Sequence, residues 1–189
     1  MNVFARIVAA VLFACLLPAC QSVPEQGDVG KARAEIDDHE KSSLEKLYAA
    51  TPESKGEIDG AVGHAVFNVT AVNAVLLVGQ QGTGVLVDHA TGKRLYMTMY
   101  RAGTGPGVGY TEMAQIIAFK SKSALDRFSL GGDVGVDLGV SASMGKDSKS
   151  QSFDPTVKFW QITDKGGAIQ AYWGGTTYVA DPKLNGTEP

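Results

Sequence analysis

The sequence is poor in the residues that build covalent frameworks and metal sites. Its 189 residues include two cysteines, Cys15 and Cys20, and both fall within the first 20 positions. Beyond Cys20 there is no thiol for a disulfide, a nucleophile or a cysteine metal site. The three histidines, His39, His64 and His89, sit in a helical pattern, ahead of a strand pattern and in a turn pattern, with no H-x-x-x-H pair. Metal binding is therefore not expected, and no cofactor is implied. A basic excess is missing too. The 17 Lys and Arg face 20 Asp and Glu, a net charge of −3, which argues against nucleic acid as a partner. No serine stands in G-x-S-x-G, and Ser43-Leu44-Glu45-Lys46 reads as solvated helix surface. Aromatic residues are few, at 8%, yet the hydrophobic share of 44% is that of a globular chain.

The longest apolar run at the N-terminus, residues 7–17, is too short to span a bilayer but fits the core of a signal peptide. Arg6 precedes it, and Leu17-Pro18-Ala19-Cys20 follows with the pattern of a lipobox, whose cysteine is acylated and becomes the first mature residue. Residues 1–19 are thus read as a lipoprotein signal peptide, and residues 20–30 as a lipidated tether with its acyl anchor on Cys20. Gln21, rather than aspartate, follows the cysteine. The expected location is the bacterial cell envelope, at the outer membrane facing the periplasm.

Residues 31–185 form the expected domain. Ile36, Leu44, Leu47 and Tyr48 share one face of a helix over 31–50, with Asp37 and Lys41 on its solvated side. Thr51 is the expected N-cap of a short helix beginning at Pro52. From Gly63 the period changes to two, with strand patterns over 65–78, 84–88, 94–101, 110–119, 130–142, 157–163 and 168–173. Ala90-Thr91-Gly92-Lys93 and Asp164-Lys165-Gly166-Gly167 read as hairpin turns, and 121–128 as a helical turn or two. In 130–142, Asp133 and Asp137 share a strand face roughly 13 Å apart, too far to act as one glycosidase pair. The fold class is α+β: N-terminal helices followed by a strongly curved antiparallel sheet or small barrel of about six to eight strands.

Gly103-Thr104-Gly105-Pro106-Gly107-Val108-Gly109 invites a nucleotide-loop reading, but it lacks a following helix and a Gly-Lys-Ser/Thr, so a strand connection is expected. Basic residues form two groups. Lys93, Arg94 and Arg101 flank one hairpin, while Lys120, Lys122 and Arg127 crowd one junction. Either group is a candidate for anionic headgroups, at roughly 1 kcal/mol per basic residue near the surface.

The order of motifs carries a resemblance. Ala61-Val62-Gly63-His64-Ala65-Val66-Phe67-Asn68-Val69, Gly79-Gln80-Gln81-Gly82-Thr83-Gly84-Val85-Leu86-Val87, the glycine stretch before Tyr110 and Leu130-Gly131-Gly132-Asp133-Val134-Gly135-Val136 follow one another. This succession resembles the SYLF domain, a lipid-binding module of bacterial lipoproteins and of eukaryotic phosphoinositide- and actin-associated proteins. The resemblance implies membrane phospholipid as partner and no enzymatic activity. The alternative is an envelope scaffold or adaptor that binds a protein or cell-wall partner and uses lipid only as its anchor. If headgroup binding is electrostatic, changing Lys120, Lys122 and Arg127 together to glutamine is expected to weaken vesicle co-sedimentation and flatten its salt dependence.

Overall fold

Three strands of 24 to 26 residues dominate the fold, against a usual length of about 3–10. The structure is a computed structural model, and it describes residues 26–131, 138–143 and 155–187. Helix α1 (Gln26–Ala50) and helix α2 (Glu53–Asp59) lead into strands β1 (Gly63–Asp88) and β2 (Arg94–Phe119). Then come α3 (Lys122–Ser129), β3 (Leu138–Ser143), β4 (Val157–Ala180) and a terminal turn of helix, α4 (Pro182–Asn185). The sheet is antiparallel in the order β1-β2-β4-β3. Among the described residues no pairing joins β3 to β1, so the sheet is open.

The α+β class and the helices-then-sheet order agree with the sequence pattern, but the strand count does not. Four described strands replace six to eight, because segments that read as separate strands are halves of single long ones. Strand β1 holds both 65–78 and 84–88, and β2 holds both 94–101 and 110–119. The glycine stretch 103–109 is not a loop. It runs within β2, and Pro106, which has no N–H to give, stands where the ladder to both neighbours is interrupted. The expected turn at 164–167 is likewise strand, and its glycines follow a register shift opposite Glu112 and Met113. Of the two expected hairpin turns, the one at 89–93 is a turn. There the Asp88 carboxylate accepts from the Ala90 and Thr91 N–H groups at 2.9 and 3.1 Å, and Gly92 takes φ +68°.

Strand β1 doubles back on itself. A β-carbon placed on Gly63 would lie 2.5 Å from the Val87 oxygen, one on Gly82 2.7 Å from the Asn68 oxygen, and one on Gly84 2.2 Å from the Val66 oxygen. All three pairs are centred on Val75, where the β1–β2 register shifts. At the open ends of the two halves the His89 N–H donates to the Val62 oxygen at 3.0 Å. Inside the fold lie Phe67, Val69, Met97, Met99, Ile117, Phe119 and Tyr178. Helix α3 closes the end of this core with Leu125 and Phe128, the Phe128 ring sitting 4.9 Å from Phe119 and 4.8 Å from Tyr178. Its N-cap is Ser121, whose hydroxyl accepts from the Ala124 N–H.

Helix α1 packs on the outside through Leu47 against Val66, Ile116 and Ala118, and through Ile36 against Val85 and Tyr96. It begins at Gln26, so residues 26–30, expected in the tether, are its first turns. Pro52 occupies the N-cap of α2 in place of Thr51, with no side-chain cap; instead the Ser54 hydroxyl donates to the Thr51 oxygen at 2.6 Å. Residues 1–25, including Cys20, and the segments holding Asp133 and Asp137 lie outside the described residues.

The doubling sets a test. Gly84→Ala is expected to cost about 2–3 kcal/mol, since backbone oxygen cannot yield as a side-chain tip does. Gly79→Ala, whose nearest neighbour stands 4.0 Å away, is expected to be near neutral. Urea midpoints of the two variants check both.

Candidate functional site

The doubled strand has two ends of different chemistry, about 12 residues or roughly 40 Å of strand apart. At the open end, where the strand termini meet α1 and α3, most polar side chains are paired with one another. Asp37 and Glu40 lie one turn apart on α1, and Arg94 at the start of β2 reaches both: 2.7 Å to the Asp37 Oδ1, and a close ion pair to Glu40. Tyr96, on the same strand face, donates to Asp37 at 3.2 Å. Burial and the carboxylates act oppositely on Arg94, and the carboxylates prevail, holding the guanidinium firmly charged. Burial pushes the Glu40 carboxyl up, but hydrogen bonds from His64 and Arg94 outweigh it and leave it below the usual glutamate range.

Two of the three histidines meet although no H-x-x-x-H spacing links them. His64 Nδ1 lies 2.6 Å from His89 Nε2, His64 Nε2 lies 2.7 Å from Glu40 Oε1, and His89 Nδ1 lies 2.9 Å from the Ala61 oxygen. Every ring nitrogen of the pair lies at hydrogen-bond distance from a partner within the protein. His39 stands aside with its Nε2 at 3.2 Å from the Ser43 hydroxyl, and burial lowers its pKa. The signal for the pairing is the doubling of β1, which brings its two ends together across 25 positions.

The six basic candidates divide. Arg94 fastens α1 to the sheet, and Arg101 is buried, with its Nε donating to the Thr176 hydroxyl. Lys93 and Lys122 come from different sequence groups but flank one shallow depression of about 170 Å3, with Asp88 and Asp126 between them. Lys122 pairs with both acids, at 3.6 Å for Asp88. Lys120 and Arg127 are exposed at the same end, and the Arg127 Nε donates to the Ser123 oxygen at 3.4 Å.

The bend end is apolar and exposed. Val72 faces Tyr110 across the β1–β2 ladder, and Ala74 faces Val108 two residues further along the same sheet face. Val108 is 65% exposed and Leu77 66%, and Val72 and Tyr110 are each about half exposed. Large apolar side chains left in water at one end of the sheet are of the kind that marks a protein or membrane contact. The Tyr110 hydroxyl donates to Glu112 at 2.7 Å. Behind the patch lies an open groove of about 890 Å3, in the elbow between the two halves of β1. Asn68, Thr70, Gln81, Thr83, Tyr100 and Thr177 line it, and Val72 belongs to both groove and patch. Sequence reading missed this site because Val72, Leu77 and Val108 are indistinguishable in pattern from core strand residues.

Among the described residues no helix is long and apolar enough to cross a membrane. No family model matches the chain. It is similar to the Beta cell expansion factor A of Aeromonas veronii, with 31% identity over 158 residues. The match covers 83% of this chain and 60% of that protein, so the chain spans about three fifths of the relative's length.

The polar joint predicts a pH dependence. Because its folded-state pKa is depressed, Glu40 contributes stability that is present above the unfolded value near 4.5 and is lost as pH falls through the folded value. Glu40→Gln is expected to cost about 2 kcal/mol at neutral pH. In denaturation series the gap to the wild type should narrow steadily below pH 4.5.

Proposed function

We propose that this chain is an envelope lipoprotein whose SYLF-like domain binds phospholipid at a bilayer surface and carries out no catalysis. The observation that supports this most directly is the exposed apolar bend formed by Val72, Leu77, Val108 and Tyr110. Fully burying a side chain such as leucine or valine is worth roughly 1.5–3 kcal/mol, so even partial insertion of several gives measurable partitioning. The motif order shared with the SYLF domain points the same way. An acyl anchor on Cys20 supplies a second attachment, and two weak membrane signals together hold a protein where one does not. The bend meets the phospholipid, and the open end, with Lys93, Lys120, Lys122 and Arg127, faces away from it.

Docking driven by the bend differs from docking driven by charge in its response to salt. The full chain with Cys20→Ser, which removes the acyl anchor, is the protein to compare by vesicle co-sedimentation. Leu77→Glu with Val108→Glu is expected to reduce partitioning at least about tenfold, corresponding to 1.4 kcal/mol or more. Replacing Lys120, Lys122 and Arg127 by glutamine is expected to change it less than about twofold. The reverse ranking, with binding abolished by salt, would place the contact at the basic end. Absence of binding to any vesicle would leave the scaffold or adaptor role, with a protein or cell-wall partner on the same patch.

A further inference from the structure

The groove behind the apolar patch has a lining that the patch does not explain. Five of the lining side chains, Asn68, Thr70, Gln81, Thr83 and Thr177, are uncharged amides or hydroxyls, and Tyr100 beside them is half exposed. Among the described residues none of these six side chains makes a hydrogen bond within the protein. Amides and hydroxyls both donate and accept, which matches a ligand whose groups do the same. An exposed aromatic face beside them suits the apolar C–H face of a sugar ring. At about 890 Å3, the groove falls in the size range of small-molecule sites, about 300–1,000 Å3.

The charges around the groove point away from phosphate. Glu112 stands opposite Thr70 in the ladder, and Glu35 lines a neighbouring depression that shares Asn68 and Thr83. Both are carboxylates. The groove's cationic residue, Arg101, is buried with its Nε turned to Thr176. With Arg101 buried, the groove presents an anionic headgroup with no exposed cation.

We infer that the groove recognises an uncharged, hydroxyl-rich headgroup, the sugar of a glycolipid whose acyl chains lie against the apolar bend. Val72 supplies the continuity, because it lines the groove and stands in the patch. The inference rests on the proposed contact between bend and bilayer, and it names the headgroup class that contact selects. Gln81 and Tyr100 are opposed across the β1–β2 ladder and so present an amide and an aromatic face side by side to the ring.

The test uses the full chain with Cys20→Ser and three vesicle compositions: phosphatidylcholine alone, and the same lipid with an equal added fraction of either monogalactosyldiacylglycerol or phosphatidylglycerol. Galactolipid is expected to raise affinity about tenfold over phosphatidylcholine, with little change between low and high salt, and phosphatidylglycerol is expected to add nothing. Gln81→Ala and Tyr100→Ala should erase the galactolipid increment while leaving binding to phosphatidylcholine intact. Equal binding to all three compositions overturns the headgroup inference and leaves the membrane contact standing. A salt-sensitive preference for phosphatidylglycerol, or an increment that survives both variants, overturns it as well. Methyl galactoside binding the protein as tightly as the galactolipid vesicles do would show recognition of a free glycan and overturn the lipid assignment. No binding to any vesicle removes the inference together with the reading on which it rests.

Discussion

A carbonyl oxygen occupies the space where residue 84 would carry its β-carbon, and much of the architecture follows from that contact. Because Gly84, Gly82 and Gly63 present bare backbone, the two halves of β1 close to within main-chain distance. Strand β2 runs beside β1 and β4 beside β2, and one face of the sheet carries a core lined by Phe67, Met97, Phe119 and Tyr178. The contact also fixes what sits where. It brings His64 beside His89, gives α1 a continuous surface spanning Val66 and Val85, and sends the bend to the far end with its apolar side chains outward.

The helices were legible from sequence because their signals are local. Ser121 caps α3 as its side chain allows, and the apolar face of α1 reads directly from Ile36, Leu44, Leu47 and Tyr48. The terminal helix went unread although its signature is just as local, with Asp181 as N-cap, Pro182 in the first turn and Gly186 at φ +68°. The long strands were not legible as units. Glycine, proline and aspartate mark both turns and places where a strand bulges or bends, and the sequence contains no residue that tells one from the other. The outcome depends on pairing with strands dozens of positions away, such as Gly107 against Gln170.

The candidate site followed the same division. Clusters of lysine and arginine are visible in any sequence, so they drew the eye first. Their partners are not visible: Arg94 is engaged by Asp37 and Glu40 from a helix more than 50 positions earlier, and Lys122 by Asp88 from the preceding hairpin. The apolar residues of the bend carry the reverse signal. Val72 and Val108 have the composition of core positions and become surface only because the sheet folds over at that point.

Strand β1 lies at the margin of the sheet, and a margin strand of 26 residues is a ready template for pairing with another chain. Natural proteins blunt such edges with charge, proline or a covering element, and here the strand serves as its own cover. The Val66 and Asn68 carbonyls, which would otherwise invite a foreign strand, are stopped by the glycine backbone of the second half. The Val62 oxygen is taken by the N–H of His89. An opening of the doubled strand would therefore do more than loosen a core. It would lay bare a long, mostly uncharged strand edge, the kind of template on which other chains pair, so the glycines that shape the fold also guard its margin.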